Sequence, residues 1–264
     1  MLEIKNVYKT FNPGTINEKK ALNGLDLTLN NGDFVTVIGG NGAGKSTMLN
    51  MIAGVYPVDS GSIIIDGEDV TRLPEHKRAK YLGRVFQDPM MGTAADMWIE
   101  ENMALASRRG QRRGLKWAIN KSEREDFKKM LSELDLGLED RLSAKVGLLS
   151  GGQRQALTLL MAVMKKPKLL LLDEHTAALD PKTAAKVLEL SDRIVEENHL
   201  TTMMVTHNMK DAITYGNRLI MMNNGQIILD VSGEEKKKLT VEYLLEAFSK
   251  LSGAEFTNDR ALLN

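Results

Sequence analysis

The chain has 264 residues, with 35 Lys plus Arg against 35 Asp plus Glu and no cysteine. A net charge of zero argues against attachment to nucleic acid or anionic lipid by bulk charge, and the missing thiols exclude disulfides, iron–sulfur clusters and thiolate zinc sites. The composition, 42% hydrophobic and 27% charged, is that of a globular chain with a sizeable core, and the longest nearly apolar run (156–164) is far short of the roughly 20 residues that cross a bilayer.

In chain order, the N-terminus MLEIKNVYKT lacks the apolar segment of a signal peptide, which points to a cytosolic chain, with docking to a membrane protein left open. Leu25, Leu27 and Leu29 alternate with polar residues, and Asn30-Asn31-Gly32-Asp33 supplies a turn before the apolar run 34–38. A glycine-rich loop and a helical pattern over 45–53 follow that strand. A second strand is predicted at 82–86, closed by Gln87-Asp88-Pro89, after which residues 90–145 turn helical, charged and Met-rich. The four-leucine run 169–172 is short and apolar, as a strand buried on both faces should be. Pro181 suits a helix start, with helical periodicity over 183–197. Residues 202–206 form another strand, 218–230 a hairpin around Asn224-Gly225, and 240–250 a last helix before a polar tail. Strands alternating with helices predict an α/β fold with a mostly parallel sheet covered on both faces, interrupted by a helical insertion. Such sheets bind ligands at the carboxyl ends of their strands, where both the glycine loop and the acidic pair after Leu172 fall.

Gly39-Gly40-Asn41-Gly42-Ala43-Gly44-Lys45-Ser46, followed by Thr47, fits G-x-x-x-x-G-K-[ST]. The glycines let the backbone curl so that successive N–H groups meet phosphate oxygens, and the helix that follows adds its positive end. Lys45 can reach the β- and γ-phosphates, and the Ser46 hydroxyl can ligate Mg²⁺. The bland alternative, a glycine-rich turn beside an accidental lysine, fits the strand–loop–helix context poorly. Nucleotide binding follows; the reaction does not.

A second set of motifs narrows it. Leu149-Ser150-Gly151-Gly152-Gln153 opens a helix; Leu169-Leu170-Leu171-Leu172-Asp173-Glu174 comes about twenty residues on; then Ala178-Leu179-Asp180, and Thr206-His207. In order and spacing these resemble the ATPase subunits of ABC transporters, over residues 1 to about 232. The resemblance implies a P-loop NTPase (RecA-like) core with a mostly parallel sheet, a small N-terminal antiparallel β subdomain and an inserted α-helical subdomain. The core would comprise 1–89 and 165–232, the helical subdomain with its signature 90–164, and a C-terminal helix and tail 233–264.

The resemblance also implies roles. Asp173, with Ser46 and Gln87, would hold Mg²⁺, a hard cation that takes oxygen ligands. Glu174 would polarise the attacking water as general base, Lys45 would sit on the phosphates, and His207 would contact the γ-phosphate. Ser150, Gly151, Gly152 and Gln153 would close over ATP bound to a second copy, and Asp180 would sit at that interface. The adenine needs an aromatic platform; Phe11 matches the place, Tyr8 is its rival, and either can simply pack in the N-terminal sheet. Where most of the family carries proline after the glutamate, this chain has His175, either a third polar contact near the phosphates or, as preferred here, a solvent-facing loop residue. Arg108, Arg109, Arg112, Arg113, Lys116, Lys121 and Arg124 cluster around Trp117 against one acid, Glu123. They form either a solvated charged face or a contact with a membrane protein or anionic headgroups.

The reading that results is an ATP- and Mg²⁺-dependent ATPase, homodimeric, held at the cytoplasmic face of the membrane by a separate multi-spanning permease and indirectly served by a solute-binding protein, with no nucleic-acid partner. It resembles bacterial importers, and GTAADMWIEEN with DEHTAALDPKT resembles a branch found beside solute-binding proteins, which implies an aromatic or related amino acid as cargo. The rivals are an ABC ATPase working as a mechanical clamp on a macromolecule, which would carry a second cassette or long coiled coils, and a non-hydrolysing regulatory module, which Glu174 and His207 argue against.

Overall fold

Strands in this chain form where apolar runs stop at turn residues, and the computed structural model describes them over residues 1–111 and 119–252. β1 (Leu2–Phe11) and β2 (Lys19–Leu29) pair antiparallel, and β3 (Phe34–Gly39) follows the turn at Asn31-Gly32. α1 (Lys45–Ala53) leads to β4 (Ser60–Ile65), β5 (Glu68–Asp69), the single turn α2 (Glu75–Arg78) and β6 (Leu82–Val85). Three helices come next: α3 (Ile99–Ser107), α4 (Lys121–Ser132) and α5 (Gly151–Val163). β7 (Leu169–Asp173), α6 (Pro181–Asn198), β8 (Thr202–Val205) and α7 (Met209–Thr214) return to the alternating pattern. The hairpin β9 (Arg218–Asn223) and β10 (Gln226–Ser232), then α8 (Gly233–Lys236) and α9 (Val241–Ser252), complete the described chain.

The strands make two sheets. One is antiparallel, in the order β2-β1-β4-β5. The other runs β10-β9-β3-β8-β7-β6, parallel throughout except for β10 at its edge. The α/β class expected from the alternation of elements is the one observed.

The four-leucine run shows why this sheet is central. Side chains alternate faces along a strand, so Leu170 and Leu172 enter one core with Met103, Phe127, Leu157 and Ile194 from α3, α4, α5 and α6. Leu169 and Leu171 enter the other, shared with Leu49 and Ile52 of α1 and with Leu2, Leu27 and Ile63 of the antiparallel sheet. Burying one leucine completely stabilises by about 2 kcal/mol, and all four are at most 1% exposed. A third cluster seats Leu244 and Phe248 of α9 against Met209 and Ala212 of α7 and Leu219 and Met221 of β9.

Register then positions the site. Val37 lies opposite Val205, Val205 opposite Asp173, and Leu172 opposite Val85. The residues just beyond those pairs therefore emerge along one edge: the glycine loop after β3, Gln87 after β6, Glu174 after β7 and His207 after β8.

Candidate active site

The phosphate loop links the end of β3 to the start of α1. Gly44 is the N-cap of α1 at φ 104, and a Cβ there would come within 2.6 Å of the Ala21 carbonyl oxygen, so only glycine fits. The cap offers no side-chain acceptor and the first turn holds no acid, which leaves the first N–H groups of α1 for an anion. Lys45 is buried, and its Nζ donates to the carbonyls of Gly39 at 2.7 Å and Gly40 at 3.1 Å, folding the ammonium back over the loop. A cavity of about 280 Å³ opens here, lined by Phe11, Lys19, Ala21, residues 41–47 and Glu174.

Phe11, at the end of β1, stands edge-on to Tyr56 with ring centroids 5.2 Å apart and lines that cavity. Tyr8 lies beside Gly24 of β2 instead. Lys19, at the start of β2, also lines the cavity, and its Nζ lies 2.9 Å from where a Cβ on Gly42 would be. No local motif marks Lys19; it reaches the loop because β2 pairs with β1 and brings its first residues alongside Phe11.

The acidic wall comes from β7. Burial pushes the Asp173 carboxyl up, against the pull of Arg84, whose Nη2 donates to it at 3.1 Å and to Asn50 Oδ1 at 2.9 Å. Arg84 also stacks on Phe86, 4.6 Å from the ring centroid, while its buried Nε has no hydrogen-bond partner. Glu174 has φ 44, and its carboxylate lies 3.7 Å from His207 Nδ1. That contact holds Glu174 below the usual carboxylate range and raises His207. Gln87 is exposed just after β6. Ser46 and Thr47 share the loop cavity with Glu174.

His175 corrects the sequence reading. It is 1% exposed, not solvent-facing, with Nε2 2.9 Å from Ser191 Oγ on α6, and burial pushes its imidazole down to about 4. The loop after β7 turns inward because Glu174 takes the left-handed conformation, which points the next side chain at α6.

The signature lies elsewhere. Ser150 caps α5, accepting from Gln153 N at 3.3 Å while Gln153 Oε1 accepts from Ser150 N at 3.2 Å. Ser150 and Gly151 are exposed. Ser150, Gly152 and Gln153 line a separate cavity of about 700 Å³ against Thr183 and Val187 of α6. Asp180 caps α6, accepting from Thr183 N at 3.1 Å, and hydrogen bonding from the Thr183 side chain and backbone lowers its carboxyl. No residue lines both this cavity and the loop cavity.

Three of the seven residues of the basic segment make internal contacts. Arg108 donates to Glu123 and to the Ala104 carbonyl, Arg109 to the Ala162 carbonyl, and Arg124 makes a two-pronged bond to the buried Glu100. Lys121, at the start of α4, is exposed. Arg112, Arg113, Lys116 and Trp117 lie outside the described residues.

The fit to a nucleotide is chemical. The glycine cradle would be filled by a Cβ, a cation lies folded on its carbonyls, and the Phe11 ring lines the same cavity. Among the described residues no cluster of three or more His, Cys, Asp or Glu could hold a metal. A divalent cation here would therefore rest on phosphate oxygens plus a hydroxyl and a carboxylate, which is the mode Mg²⁺ favours. No helix of the described residues is long and apolar enough to cross a membrane.

Known proteins are similar to this chain in sequence and fold. The sequence matches the ABC transporter family over residues 22–177. It is 47% identical over 253 residues to a tyrosine transport ATP-binding protein of Clostridioides difficile, covering 94% of this chain and 98% of that one. It is 36% identical over 237 residues to the spermidine/putrescine import ATP-binding protein PotA of Haemophilus influenzae, covering 89% of this chain but only 59% of that protein. A solved ATP-binding cassette, captured as a dimer in a post-hydrolysis state with ADP and Pi, superposes with a TM-score of 0.75 at 30% identity, over 88% of this chain and 98% of that one.

Proposed function

The chain belongs to the ABC transporter family, and on that premise we propose that it is the ATPase subunit of an importer, binding Mg-ATP between Phe11 and the phosphate loop and hydrolysing it with Glu174. The observation that carries the reading is the shared cavity: the phosphate loop, Phe11 and Glu174, just beyond β7, face one space. ATP and water become ADP and phosphate. Phe11 stacks on the base, the N–H groups of the loop and Lys45 hold the phosphates, and Glu174 takes the proton of the attacking water. His207, 3.7 Å from Glu174, holds that carboxylate charged and oriented. Ser46, Asp173 and Gln87 would hold Mg²⁺, which neutralises phosphate charge when bound. Catalysis here is positioning and charge stabilisation, with little covalent work for the protein.

The signature lines its own cavity, away from the phosphate loop, which supports a site completed by a second copy that supplies Ser150 and Gly152. The dimeric solved relative supports the same pairing. A separate permease, with a solute-binding protein beyond it, would hold the pair at the cytoplasmic face of the membrane. The relative named for tyrosine transport, matched over nearly its whole length, supports an aromatic amino acid as cargo. Relatives named for transport favour this reading over a mechanical clamp.

Phosphate release from the purified chain tests the site. Lys45→Ala is expected to weaken ATP binding about ten- to a hundred-fold, the loss of a charge-assisted bond. Glu174→Gln is expected to keep ATP affinity while turnover falls at least about a hundred-fold. Wild-type hydrolysis by either variant refutes the assignment.

A further inference from the structure

His175 takes no part in the chemistry above, yet it is among the most deeply buried polar side chains of the described residues. We propose that His175 is a positioning residue, latching the loop that carries Glu174 onto α6 through Ser191; this rests on Glu174 being the general base.

Three observations carry it. Glu174 sits at φ 44, a conformation that a residue with a Cβ holds only when its surroundings fix it. On its N-terminal side the fixing is done by the sheet, where Glu174 N donates to the Val205 carbonyl at 3.0 Å. On the C-terminal side the nearest tie to another element is His175. Its Nε2 lies 2.9 Å from Ser191 Oγ, and both residues are 1% exposed.

The direction of that bond follows from counting hydrogens. The Ser191 hydroxyl has one, and gives it to the Val187 carbonyl at 2.7 Å, an oxygen that can only accept. The imidazole must therefore donate from Nε2. Val187 and Ser191 both lie on the buried face of α6, so the acceptor is held by a turn of helix. The latch thus joins a strained backbone to a rigid element, and the residue it steadies is the one whose carboxylate must meet a water within hydrogen-bond reach. A proline at this position would stiffen the backbone but could not make the bond.

The test uses the full chain and reads kcat and ATP dissociation separately, with thermal melts to confirm folding. Ser191→Ala and His175→Leu should each lower kcat about ten- to a hundred-fold, the scale of misplacing a reacting group, while ATP affinity stays within about two-fold. The double variant should be no slower than either single one, because both remove the same bond. His175→Gln, which keeps an amide N–H donor at similar reach, should recover most of the rate. Unchanged kcat in Ser191→Ala and His175→Leu, or a fall in kcat matched by an equal loss of ATP affinity, overturns the proposal. Glu174→Gln run alongside separates the two readings. If it is inactive while the latch variants turn over normally, the latch alone fails; if it hydrolyses at the wild-type rate, the base assignment fails with it.

Discussion

Lys19 would extend the proposed phosphate site beyond its motif. Its ammonium stands over Gly42, in the same cavity as Phe11 and Lys45. It is exposed, so its attraction to a polyphosphate is screened by salt. Lys19→Ala is expected to weaken ATP binding about three- to ten-fold at low ionic strength, with the difference shrinking as salt is added; titration of a fluorescent ATP analogue at two salt concentrations measures it. Lys45 and Ser46 were legible because their partners are neighbours in sequence and the loop chemistry is local. Lys19, Arg84 and His175 were not. Lys19 and Arg84 reach the site by strand pairing and His175 reaches α6 by a loop turning inward, and neither leaves a mark in composition or periodicity. His175 looked like an exposed loop residue because the sequence shows a polar side chain after a strand, but not the left-handed Glu174 that turns it toward Ser191.

The phosphate helix α1 is held from its far end. Its last turn has no basic residue of its own, and Arg78 of α2 supplies one, donating to the carbonyls of Met51 at 2.6 Å and Ile52 at 3.0 Å. The same guanidinium bonds the carbonyls of Leu73 and Thr71 and is 1% exposed. A cation at a helix C-terminus is favourable, and removing it orphans several buried acceptors. Arg78→Met is expected to destabilise by about 2–4 kcal/mol, read by urea unfolding. Lys236 of α8 is a second buried cation, donating to the carbonyls of Tyr215 and Gly216, and burial pushes its ammonium down from 10.5 to about 8. Below that value both folded and unfolded chains hold the proton. Between about 8 and 10.5 the unfolded chain holds more, so stability rises with pH across that window. Relative to Lys236→Met, the wild type should gain on the order of 1 kcal/mol between pH 8 and 10 in urea unfolding. Elements with a full local signature were readable, such as the hairpin at Asn224-Gly225 and the helix after the glycine loop. β4, α2 and α7 were not: Ile63, Ile64 and Ile65 hide the alternation of β4, and helices of 4 and 6 residues are too short to show a period.

At the scale of the whole molecule, two cavities divide the expected chemistry. The phosphate loop, Phe11 and Glu174 face one; Ser150, Gly152 and Gln153 face the other, between α5 and α6. Around α3 and α4, Arg108, Arg109 and Arg124 hold Glu123, the Ala162 carbonyl and Glu100, whereas Lys121, Lys128 and Lys129 are exposed. If a second copy closes each site, ATP acts as the bond between the chains and hydrolysis removes it. Glu174→Gln keeps the side chain's size and loses the base, so ATP should persist and hold the pair together. Light scattering on the Glu174→Gln chain in saturating ATP and then in ADP tests this account most directly. It predicts a homodimer with ATP and a monomer with ADP, and a monomer in both would contradict it.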